Sequence, residues 1–104
     1  MLTPFQQTVY DACRRIPSGN VTTYASLAKA IDCGSPRAVG QALKKNPFAP
    51  EVPCHRVVKT DRSLGGFTGH TAGPEVTRKR KLLEAEGVQF DAQGKIRADD
   101  LIFL

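Results

Sequence analysis

Tryptophan is absent from this 104-residue chain, and aromatic residues make up only 7% of it. Most of its core is therefore left to aliphatic and small side chains. Cysteine is scarce too: Cys13, Cys33 and Cys54 are an odd, widely spaced set. They offer no disulfide framework, and a reducing cytosol is the expectation. There is no Cys-x-x-Cys and no paired His/Cys spacing, so no metal site is expected. No apolar run follows Met1, which argues against a secretory leader. No stretch nears the roughly 20 apolar residues that cross a bilayer, so no membrane partner is expected. Internal repeats and low-complexity segments are also missing. Negative charge is in short supply: 10 Asp+Glu face 15 Lys+Arg, a net charge of +5. That balance favours a polyanionic partner, although scattered surface lysines carry no specificity by themselves. What is present is enough for one globular domain with a modest core, expected as a monomer.

Thr3-Pro4-Phe5-Gln6 reads as a helix start, with Thr3 as cap, Pro4 at the first position and Gln6 completing a capping box. Phe5, Val9, Ala12 and Ile16 recur at helical spacing and predict the buried face, with Tyr10 and Cys13 flanking it. Pro17-Ser18-Gly19-Asn20 ends this unit. Thr22 or Thr23 caps a second helix running to about Ile31. Asp32-Cys33-Gly34 is a turn, and Ser35-Pro36 starts a third helix that stops before Asn46-Pro47. Two short helices about a tight turn make a helix-turn-helix pattern; an ordinary helical hairpin is the alternative. The expected fold is thus mainly α, a winged-helix-like single domain with short extended segments around the loop that carries Cys54.

The third helix has an unusual face. Ala38, Gly40 and Ala42 are small, while Arg37, Gln41, Lys44 and Lys45 are polar or basic. Small residues permit close approach to a groove, and basic ones meet phosphates. Val39 and Leu43 point the other way, into the core. Further on, Pro53-Cys54-His55-Arg56-Val57 places a thiol beside an imidazole and a guanidinium. A base or a positive charge favours the reactive thiolate. Neighbouring side chains diverge on helices and strands, so a bridging water is the natural link between Cys54 and His55. A buried structural cysteine beside a surface His-Arg pair is the other reading. The last helix is expected over 75–86, with Val76, Leu82 and Leu83 as apolar contacts and Gly87 at its C-cap. Its run Arg78-Lys79-Arg80-Lys81 suits either phosphate or a solvated face. Val88-Gln89-Phe90 and residues 101–104 pack as a tail around a Gly94 turn.

Pro53-Cys54-His55-Arg56-Val57 resembles the active-site motif of the O6-alkylguanine-DNA alkyltransferases, the methylated-DNA–protein-cysteine methyltransferases. Residues 35–42 resemble that family's DNA-binding helix, followed by Asn46-Pro47. Gly65-Gly66-Phe67-Thr68-Gly69 resembles its substrate loop, and residues 82–87 resemble its closing helix. Four motifs in register over nearly the whole chain make the resemblance specific. It implies a partner, double-stranded DNA containing O6-alkylguanine, gripped in the minor groove and with its target nucleotide flipped out.

The resemblance also implies a role for each residue. Cys54 is the nucleophile; His55, held by Glu86, is its base; Tyr24 crowds the target phosphate and is a proton donor. Arg37 fills the gap left by the flipped base. Ala38, Gly40, Gln41, Ala42, Lys44, Lys45, Asn46 and Arg56 are expected to contact DNA. Pro53, Val57, Gly66, Phe67, Thr68 and Gly69 are expected to line the base pocket. The longer family members carry an additional N-terminal domain. The segment 69–74 is longer than is usual in the alkyltransferases, and with the tail after Gly87 it resembles the alkyltransferase-like proteins. Those bind alkylated DNA without repairing it and flag it to nucleotide excision repair proteins, usually with the reactive cysteine replaced. Here Cys54, His55 and Glu86 are all present, so an enzyme is the expectation.

Overall fold

The computed structural model describes residues 2–48, 51–64 and 74–104, and the side chains from 76 onward in the last of these. Helix α1 (Pro4–Cys13) opens with the expected capping box: Gln6 N–H donates to Thr3 Oγ1, and Thr3 N–H donates to Gln6 Oε1, both at 3.0 Å. Its buried stripe differs from expectation. Tyr10 and Cys13 are fully buried with Val9, Ala12 and Ile16, while Phe5 is 38% exposed. The face is turned because the Tyr10 hydroxyl has an inward partner, donating to the Ala42 carbonyl at 2.7 Å. A buried phenol needs such an acceptor, and this one ties α1 to α3.

Strand β1 (Thr22–Thr23) leads straight into α2 (Tyr24–Ala30), whose N-cap is Thr23, accepting from Ser26 N–H at 3.0 Å. The turn to α3 (Pro36–Lys44) places Asp32, not Gly34, in the left-handed region, at φ 57°. Asp tolerates that conformation better than most residues with a Cβ. Ser35 caps α3, accepting from Ala38 N–H at 3.1 Å. The three helices share one core of Val9, Tyr10, Leu27, Val39 and Leu43, with Val52, Cys54 and Val57 closing it.

A 3-10 turn, Cys54–Arg56, runs into β2 (Val57–Val58), which pairs in parallel with β1 in the register Thr22↔Val57 and Thr23↔Val58. On the other side of β1, Val21 bridges Leu101 in parallel, and Ile102 N–H donates to the Val21 carbonyl at 2.8 Å. The tail is therefore strapped to the centre of the molecule. Helix α4 (Pro74–Ala85) ends where Gly87, at φ 91°, lets Val88 N–H reach back to the Leu83 carbonyl at 3.0 Å. Beyond it, Val88 and Ile96 join Val21, Val58 and Leu83 in a second, smaller core. The architecture is mainly α, with a two-stranded sheet that positions the Cys54 turn.

Candidate active site and nucleic-acid interface

Cys54 sits at the start of the 3-10 turn and is 5% exposed. Burial pushes its thiol up from the ordinary value; a hydrogen bond from Asn46 and the charges of Lys79 and Arg78 oppose this without overcoming it. The resting group is thus a protonated thiol that must lose its proton when it reacts. Asn46, expected on DNA, braces this loop. Its Nδ2 donates to the Val52 carbonyl at 3.0 Å, and its Oδ1 accepts from Phe48 N–H at 2.9 Å.

His55 is 2% exposed, and its Nε2 lies 3.0 Å from Glu86 Oε2. Glu86 follows directly on α4, so the last turn of that helix delivers it. Burial pushes the Glu86 carboxyl up, but hydrogen bonds and charge from Arg56 and His55 outweigh this and hold it below the ordinary range. A carboxylate can only accept, so Nε2 carries the proton and Nδ1 holds the lone pair. Nδ1 is buried without a hydrogen-bond partner among the described residues. Burial also lowers the imidazole pKa, with Glu86 pulling the other way, so the ring is neutral at neutral pH. A buried, oriented, unpartnered imidazole nitrogen beside a thiol is the equipment of a general base.

Arg56, expected on DNA, also has an internal role: its guanidinium takes both oxygens of Glu86, at 2.9 and 2.6 Å, and the Ile16 carbonyl at 2.7 Å. Val57 and Pro53, expected to line the base pocket, are both buried, and Val57 pairs with Thr22 in the two-stranded sheet. Ala42 lies in the core, 4% exposed, because it falls one turn from Val39 and beside Leu43 on the inner face of α3. Gly66, Phe67, Thr68 and Gly69 lie outside the described residues.

Arg37, Gln41, Lys44 and Lys45 are exposed along one side of α3, with Ala38 and Gly40 half-buried beside them. Tyr24 connects this face to the thiol. A Cβ built on Gly40 would lie 4.0 Å from its ring, and Lys79 Nζ stands 6.0 Å from its centroid on the inner side. Burial raises the Tyr24 pKa to about 12, so its hydroxyl stays protonated.

Lys79 was the residue least visible in the sequence. Expected within a solvated or phosphate-facing run, it is fully buried, donating to the carbonyls of Val57 at 2.8 Å and Leu64 at 2.6 Å. Burial lowers its pKa to about 8. A signal was there: Lys79 shares the helical stripe of Val76 and Leu83, the apolar face of α4.

The sequence pattern of the family described as 6-O-methylguanine DNA methyltransferase, DNA binding domain, matches residues 4–88. The chain belongs to this family. A methylated-DNA–protein-cysteine methyltransferase of Methanothermobacter thermautotrophicus is 41% identical over 91 residues, covering 88% of this chain and 48% of the relative. One from Thermococcus kodakarensis is 46% identical over 89 residues, covering 85% and 47%. The chain thus spans about half the length of these relatives. Among solved structures, Mycobacterium tuberculosis OGT in complex with DNA superposes with a TM-score of 0.74 at 42% identity, covering 83% of this chain and 51% of that one. Atl1 of S. pombe, in complex with damaged DNA containing O6-carboxymethylguanine, superposes with a TM-score of 0.79 at 27% identity, covering 100% and 99%.

Proposed function

We propose that this protein binds duplex DNA, flips out O6-alkylguanine and transfers the alkyl group irreversibly to Cys54. The observation that carries this reading is the line from Glu86 through His55 Nε2 to an unpartnered, buried Nδ1 one residue from the thiol. The methyltransferase names of relatives at 41% and 46% identity support it.

In this reading the exposed cations of α3 meet phosphates, and Arg37 enters the gap left by the flipped base. Flipping is needed because the reacting carbon is hard to reach inside the stack. The Cys54 proton passes through a water to His55 Nδ1, and the charge of Glu86 stabilises the imidazolium that forms. The sulfur lone pair forms a bond to the alkyl carbon as that carbon's bond to O6 breaks. The electron pair stays with guanine, which takes a proton from the Tyr24 hydroxyl, and the proton held by His55 returns through solvent to the Tyr24 oxygen, so that the thiol proton ends on guanine. The product thioether has no leaving group to reverse the step, so each molecule acts once. This route uses no metal or organic cofactor.

A second reading has its own support. Atl1, whose structure is a complex with damaged DNA containing O6-carboxymethylguanine, matches over the full length of this chain. A lesion-binding protein that flags damage for nucleotide excision repair would bind alkylated duplex and transfer nothing. Intact-protein mass after incubation with an O6-methylguanine duplex separates the two. One added methyl group, mapped to the Cys54 peptide, is expected. No gain, together with preferential binding of the lesion, would make the protein a sensor.

A further inference from the structure

Arg56 is adjacent to His55, yet the transfer route above gives it no task. Its Nε donates to Glu86 Oε1, and its Nη2 donates to Glu86 Oε2, the oxygen that also accepts from His55 Nε2. Its third contact, from Nη1 to the Ile16 carbonyl, anchors the fork to the segment just after α1. The turn beyond Ile16 passes close to the Glu86 backbone: a Cβ on Gly19, at φ 93°, would come within 3.2 Å of the Glu86 carbonyl oxygen. The Glu86 carboxylate is thus held by an anchored guanidinium as well as by the imidazole.

We propose that Arg56 is a positioning residue for His55: its forked hold on Glu86 sets which carboxylate oxygen the imidazole donates to, and so keeps Nδ1 as the lone-pair nitrogen that accepts the Cys54 proton. The proposal rests on the alkyl-transfer reading. A planar fork matches both carboxylate oxygens at once, which an ammonium group does not do. The charges facing His55 are Glu86 and Lys79 from α4 and Arg56 beside it, with the Cys54 thiol as the neighbouring titratable group. Glu86 favours the imidazolium; Arg56 and Lys79 oppose it. Without Arg56, Glu86 rotates freely and is opposed by Lys79 alone. His55 then becomes more basic and its two neutral tautomers mix.

The chain contains only two histidines, His55 and His70, so nitrogen NMR of labelled protein reads the ring directly, with His70→Gln for assignment. The wild type is expected to show the Nε2–H tautomer. Arg56→Met is expected to raise the His55 pKa by about one unit and to move the acid limb of single-turnover transfer up with it, with affinity for the lesion duplex unchanged. Arg56→Lys restores the charge without the fork. Its pKa should return toward wild type while the tautomers stay mixed and transfer stays slow. A folded Arg56→Met protein with wild-type His55 pKa and tautomer would overturn the proposal. So would weaker lesion binding with an unchanged pH profile, which would return Arg56 to DNA contact. If Arg56→Met does not fold, a wild-type tautomer and rate in Arg56→Lys overturn it instead. If the wild type gains no methyl group, the transfer reading fails, while the NMR outcome still decides the role of Arg56.

Discussion

The exposed side of α3 and the Cys54 turn draw on the same cationic residue types for opposite purposes. On α3, Arg37, Lys44 and Lys45 stand in solvent. Around Cys54, Arg56 and Lys79 are turned inward and satisfied by a carboxylate and by backbone carbonyls. Exposed cations remain hydrated until a polyanion replaces the water, so they suit adjustable, salt-dependent contacts. A buried cation must have its partners in place beforehand, so it fixes geometry. The lesson is that net charge overstates the surface available to DNA, because part of it is structural.

Breaking the buried half gives the largest effects. Cys54→Ser is expected to abolish alkyl transfer completely while leaving lesion binding in place, as read by intact mass and a parallel binding assay. Loss of both together would mean that the thiol is structural. Lys79→Ala leaves two carbonyls unsatisfied and a cavity under β2, and should cost about 3 kcal/mol in urea unfolding. A change near zero would mean that desolvation of the ammonium already cancels its hydrogen bonds. On the exposed side, Arg37→Ala should weaken binding to alkylated duplex by ~1–3 kcal/mol, as for stacking contacts, with no change in the urea midpoint. Undiminished affinity would sink the gap-filling role.

Two smaller effects sharpen the comparison. His55 must be neutral to act as base, and its folded pKa lies below the ordinary imidazole value. Transfer should therefore hold steady as pH falls to the usual histidine range, near 6.5, and decline only below it. The unfolded chain takes up its proton first, so stability is also lost as pH falls through the unfolded pKa toward the folded one. A rate already falling at pH 7.5 would contradict this. Lys44→Ala and Lys45→Ala should each lower the salt slope of binding by about 1, equally for damaged and undamaged duplex.

Much of this layout was legible in the chain itself. The caps Thr3, Thr23 and Ser35, the Pro4 and Pro36 starts, and the Gly87 stop lie in the sequence and act locally. Helix ends follow from side chains that meet backbone groups three or four residues away, so sequence order suffices. The polar stripe of α3 follows from helical period in the same way. The pairing of His55 with Glu86 was expected only through the family resemblance, since nothing local joins residues so far apart in the chain.

Five residues also have structural partners that no local run announces. Ala42, Arg56, Val57 and Lys79 are each tied to a distant segment, and Asn46 to the loop just after it. Tyr10 reaches the Ala42 carbonyl, Asn46 the loop before Cys54, Arg56 both Ile16 and Glu86, Val57 the strand at Thr22, and Lys79 carbonyls on either side of the Cys54–Leu64 segment. The sequence by itself determined where the helices begin and end, the small-and-basic face of α3, and the chemistry available at residue 54. The tertiary structure alone decided which cations are spent inside, how far burial raises the thiol, and which nitrogen of His55 is left to take a proton. Those outcomes depend on desolvation and on partners far away in sequence, and neither is encoded in any local run of residues.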